Sequence, residues 1–114
     1  MKTFNDKGIK IEMVQSQIET NGLLTLLKVS VQPNFENKKH IHSNLTETFK
    51  VTDGTIKLRV GEGVICLEQG EAFSVNAGIP HHFINDTDKN VSFLVCVMPG
   101  SSEYEDLILN GGDI

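Results

Sequence analysis

With 114 residues, a formal net charge of −5 and 39% hydrophobic side chains, the chain has the size and composition of one folded domain around one core. Its mild acidity and lack of a basic run argue against phosphate-driven nucleic-acid binding, which needs clustered cations. No apolar run approaches the roughly 20 residues of a membrane helix, and the opening stretch MKTFNDKGIKIEM lacks the apolar core of a secretory signal, so a cytoplasmic location is expected.

In chain order, the apolar residues recur with a period near two. Ile9, Ile11 and Met13 alternate with polar neighbours, as in a strand with one buried face. Asn21-Gly22 reads as a hairpin turn, and Leu23, Leu27, Val29 and Val31 follow it. Phe49 and Val51 share one face of a further strand. Asp53-Gly54 predicts another hairpin, leading to Ile56, Leu58 and Val60, with Lys57 and Arg59 facing outward. Gly61-Glu62-Gly63 predicts the next reversal, and Gly70, Gly78-Ile79-Pro80 and Asn85-Asp86 mark others. Val91 to Met98 is nearly all apolar, as expected of a strand buried on both faces. The tail from Ser101 to Leu109 is the only helical candidate, with Ser102 as its expected cap and Glu103, Glu105 and Asp106 suiting the positive end of the helix dipole.

These elements predict an all-β domain of eight or more strands over residues 1 to 114, closed as a barrel or stacked as a jelly roll, with closure removing exposed edges. Cys66 and Cys96 both sit in apolar runs and are expected to be small buried thiols rather than a disulfide.

The histidines carry the chemistry. His40 and His42 are two apart, so on a strand both imidazoles face the same way. Glu47 shares the parity of Phe49 and Val51, and a hairpin would bring it back beside them. His81 follows the turn at Gly78-Ile79-Pro80. Three imidazoles and a carboxylate converging inside a β domain make a mixed nitrogen and oxygen site for a divalent transition metal. His82 has the opposite parity to His81 and is expected to point away. The bland alternative for Glu47 is a surface carboxylate on an edge strand.

The segment His40-Ile41-His42, four residues, Glu47, six residues, Gly54 resembles the first cupin motif, at about residues 34 to 54. Gly70, seven residues, Gly78, two residues, His81, three residues, Asn85 resembles the second, at about residues 70 to 85. Asn34 and Asn76 stand where those motifs carry glycine and proline. The resemblance is to small single-domain bacterial cupins. It implies a jelly-roll β-barrel (a double-stranded β-helix), to which the tail would add a short C-terminal helix, and the metal ligands His40, His42, Glu47 and His81. It also implies a homodimer, and Ile9, Ile11, Met13 and Val14 are apolar enough for a strand exchanged between subunits, the alternative being that the strand folds back on its own barrel.

The ligand set admits Mn, Fe, Ni, Zn or Co. Phe49 and Phe83 each lie two residues beyond a ligand and are expected to wall a substrate pocket. With Tyr104 in the tail, Glu47 is the only evident catalytic base, which favours a small, largely apolar or chelating substrate. The expected function is a metal-dependent enzyme of the dioxygenase, isomerase, cyclase or decarboxylase type. The alternative is a non-catalytic or sensory cupin module that binds a small ligand.

Overall fold

The computed structural model describes residues 2 to 112 and Ile114. Its strands are β1 (Thr3–Asp6), β2 (Ile9–Gln15), β3 (Thr25–Val31), β4 (Phe35–Glu36), β5 (Thr46–Asp53), β6 (Thr55–Val60), β7 (Gly63–Glu68), β8 (Ala72–Val75), β9 (His81–Asn85) and β10 (Val91–Met98), and one helix, α1 (Ser102–Gly111), follows. They form a six-stranded sheet in the order β1-β2-β3-β10-β5-β8 and a four-stranded sheet in the order β4-β9-β6-β7. All pairings are antiparallel, so this is the jelly roll the sequence predicts. The sheets do not merge into one closed ring: β1, β8, β4 and β7 each keep an edge.

Period-two patterning explains which face is buried. β2 buries Ile9, Ile11 and Met13, and β3 buries Leu27, Val29 and Val31. Ile56 and Leu58 of β6 point into the core while Lys57 turns outward to an ion pair with Asp86 at 2.5 Å. β10 departs from expectation. Val91, Phe93, Val95 and Val97 have no exposed surface, but Ser92, Leu94 and Cys96 on its other face are only half-buried and Met98 is 56% exposed. One sheet covers one face only, and the second is shielded sideways by Leu26, Lys28, Thr48 and Lys50 on the adjoining strands. For the same reason the thiols are not core: Cys66 is exposed and Cys96 half-buried, both unpaired.

The turns are partly as expected. Gly61-Glu62 makes the two-residue link between β6 and β7, with Val60 opposite Gly63. Asn21 and Gly22 both take positive φ, 58° and 81°, and Leu23 N–H donates to Thr20 O at 3.2 Å, a tight turn within the longer β2–β3 connection. Leu23 is exposed and β3 begins only at Thr25. Asp53-Gly54 is not a hairpin: it carries the chain from β5 in one sheet to β6 in the other. Gly54 is required there, because its φ is +90° and a Cβ would stand 3.0 Å from Val91 Cγ2. Asn34 adopts φ 60°, the conformation that the motif's usual glycine reaches without penalty.

Helix α1 is capped by Ser101, one residue before the expected Ser102: its side chain accepts from Tyr104 N–H at 3.2 Å. Tyr104, Glu105 and Ile108 form its buried face. Glu105 therefore does more than offset a dipole. Its Oε2 accepts from Gln17 N–H at 2.6 Å and from Thr25 Oγ1 at 2.5 Å, tying the first turn of α1 to the β2–β3 connection. The strand Ile9 to Val14 lies in its own chain's sheet between β1 and β3, with Ile9, Ile11 and Met13 in its own core.

Candidate metal centre

Three segments deliver the four residues of the site. His40 and His42 do not form a strand and do not pair with the strand of Glu47. They run extended beside the start of β9: His40 N–H donates to His81 O at 3.0 Å, His81 N–H returns to His40 O at 2.9 Å, and Gly78 N–H donates to His42 O at 2.8 Å. The register there is shifted. Continued from Phe35 opposite Asn85, it would set Lys39 against His81, yet His40 occupies that place. One extra residue is accommodated, and such a bulge re-aims the side chains after it. Glu47 comes from the facing six-stranded sheet, on β5 between Val97 and Val75.

Ligand atoms of His40, His42, Glu47 and His81 all lie within 4.8 Å of one another, in a group able to hold a metal ion. Glu47 is 1% exposed, His81 3% and His42 8%. His81 Nε2 lies 2.6 Å from Glu47 Oε1, and His42 Nε2 lies 3.6 Å from the same oxygen. The outward nitrogens of two rings are fixed by main chain: His40 Nδ1–H donates to Lys38 O at 2.6 Å and His81 Nδ1–H to Ile79 O at 2.9 Å. That leaves Nε2 of each ring as the inward atom, the arrangement in which an imidazole is held ready for a metal.

His40 Nε2 is the telling atom. It is buried and has no hydrogen-bond partner among the described residues. Such an orphan costs about 1–3 kcal/mol, and a cation at the centre of the cluster would satisfy it. The residues thus fit a divalent transition ion by donor type, by convergence and by this unmet lone pair.

The electrostatics fit as well. Burial alone would lower the His81 pKa, but the hydrogen bonds His81 donates to the Glu47 carboxylate and the Ile79 carbonyl, with the Glu47 charge, outweigh it and raise the pKa above its ordinary value. The bond to Glu47 favours the protonated His81 ring, and a metal ion bound there would replace that proton.

Tyr104 was not legible as part of this site. Its hydroxyl donates to Glu47 Oε2 at 2.7 Å, and its ring stands edge-on to His42 at 5.1 Å. Burial, the Glu47 charge and this hydrogen bond raise its pKa well above the ordinary phenol value, so it stays a neutral donor. The only sequence signal was that a lone tyrosine falls on the same helical stripe as Ile108, four residues on. His82 points away, as parity predicts, with its Nε2 2.8 Å from Glu36 Oε2. Phe49 and Phe83 are both fully buried: Phe49 stands 6.3 Å from the His81 ring, while Phe83 packs between Phe35 and Phe93. Neither lines the open cavity of about 350 Å³ beside the cluster, whose walls come from residues 41 to 45 and from α1.

A jelly roll with three histidines and a glutamate gathered between its sheets defines the class of protein. Residues 27–98 match the family model of the Cupin domain, and the chain belongs to that family. Solved structures agree on the fold. KdgF from Halomonas sp. superposes with a TM-score of 0.79 at 14% identity, covering 91% of each chain. An RmlC-like cupin from Shewanella frigidimarina gives 0.76 at 17% identity over 90% of this chain and 87% of that one. A protein described as a predicted oxalate decarboxylase from Thermotoga maritima gives 0.76 at 13% identity over 80% of both. At such identities the likeness is one of fold. No curated protein matches the sequence. No helix among the described residues is long and apolar enough to cross a membrane.

Proposed function

We propose that the chain binds one divalent transition metal through His40, His42, Glu47 and His81 and acts as a metal-dependent cupin enzyme on a small organic molecule. The observation that carries this reading is the buried, unpartnered Nε2 of His40 facing the Glu47–His81 pair. When bound, such an ion supplies Lewis acidity, and electron transfer if it is redox-active. The ion is one of Mn, Fe, Ni, Zn or Co. The chain's own contribution is positional. Tyr104 occupies Glu47 Oε2 and leaves Oε1 directed at the histidines, so the carboxylate presents one oxygen to the centre. Phe49 backs His81 and keeps water from that side of the ring.

Oxidation, isomerisation, cyclisation and decarboxylation remain the candidate reaction types. A second reading, a ligand-binding or sensory module, is favoured by one observation: both oxygens of Glu47 are already engaged, by His81 and Tyr104, so the cluster offers no free base. We also place the protein in the cytoplasm, where its two unpaired thiols suit a reducing compartment, and expect a homodimer, checked by light scattering. Elemental analysis tests the metal, with about one ion per chain expected and none sinking the proposal. A turnover screen of the Fe(II)-loaded protein with O₂ against small enols and phenols separates enzyme from binding module.

A further inference from the structure

The cavity beside the cluster has a one-sided chemistry. His42 and Tyr104 form its contact with the site, and Ile41, Leu45, Pro99 and Leu107 supply apolar wall. Glu103 is its only charged residue, and no Lys or Arg lines it among the described residues. Lys39 and Arg59 line a separate and smaller cavity of about 180 Å³ beside His81 and His82.

Charge balance then limits what the larger cavity receives. A divalent ion held by the Glu47 carboxylate leaves one net positive charge, with Glu103 at the rim opposing any surplus anion. A neutral or singly charged ligand is balanced there. A dianion or a phosphate monoester is left with uncompensated negative charge next to apolar wall, which is costly away from water. Resting on the metal-binding reading above, the geometry points to a substrate with at most one negative charge and an apolar body, entering between residues 41 to 45 and helix α1. Dicarboxylates and sugar phosphates are excluded as preferred ligands.

The test uses the full chain loaded with Co(II), read by its visible ligand-field bands and by cobalt content after desalting. Three probes that can form a six-membered chelate differ in the charge they bring: malonate binds as a dianion, monomethyl malonate as a monoanion, and acetylacetone as its enolate monoanion after releasing a proton to solvent. The bands should shift at least tenfold lower in concentration for acetylacetone and monomethyl malonate than for malonate. Leu107→Arg, at an exposed helix position, should keep the cobalt and strengthen malonate binding at least tenfold. Equal or tighter malonate binding to the unsubstituted chain overturns the inference, as does malonate binding that disappears in Lys39→Ala or Arg59→Ala, because the ligand would then enter from the other side. Bands unmoved by all three probes also overturn it, since the cavity would not open to the ion. Failure to retain cobalt is a different result: it removes the metal-binding reading itself.

Discussion

Between the two sheets, Phe93 packs against Phe83 at 5.2 Å and Phe49 at 5.9 Å, and none of the three has any exposed surface. Beyond Phe49, toward α1, the same sheets meet across His42, Glu47, His81 and Tyr104, which are nearly as buried. The two regions share depth but not chemistry. Each aromatic in the first contributes about 1.5–3 kcal/mol by leaving water. In the second, every buried polar atom must first recover its lost hydration, through Glu47–His81, Tyr104–Glu47 and the main-chain carbonyls of Lys38 and Ile79. The aromatic region holds the fold together. The polar region is kept at a stability disadvantage, and His40 Nε2 within it still lacks a hydrogen-bond partner among the described residues.

Substitutions can sharpen that contrast. Phe93→Ala should have the largest effect on stability, about 3–5 kcal/mol, measured by denaturant unfolding of the metal-free protein. If it instead abolished metal uptake in protein that remains folded, the two regions would not be separable. His81→Ala should lower metal affinity at least tenfold by removing a ligand, read as ions per chain by elemental analysis; unchanged stoichiometry would break the contrast from the other side. Tyr104→Phe removes only the hydroxyl on Glu47 and should weaken metal binding by about tenfold or somewhat more, in protein that still folds, because the ring keeps its packing.

The dependence on pH follows from the raised pKa of His81. In the metal-free protein, the Glu47–His81 pair contributes stability fully below the unfolded imidazole value near 6.5, and that stability is lost as pH rises through the higher folded value. Metal must displace the same proton, so affinity should fall by up to about tenfold per pH unit as pH drops through that window. Calorimetric titration from pH 8 to pH 5 checks this, and a flat profile would exclude imidazole ligation. The smallest effect is expected from His82→Ala. Its partner Glu36 is half exposed, so the pair is worth at most about 1 kcal/mol, and metal content should not change.

The sequence by itself determined the strand character, the jelly roll, the four residues of the candidate metal cluster and the opposite aim of His81 and His82. All follow from period-two alternation and from motif spacing, which are local properties of the chain. Only the tertiary structure decided three things. Glu47 reaches the histidines from the facing sheet and not through a hairpin with them. A one-residue register shift before His40 puts that ring, and not Lys39, opposite His81. Helix α1 folds Tyr104 back across the chain onto Glu47. Each depends on how separate segments pack against one another, and side-chain parity along one strand carries no information across a bulge or between sheets.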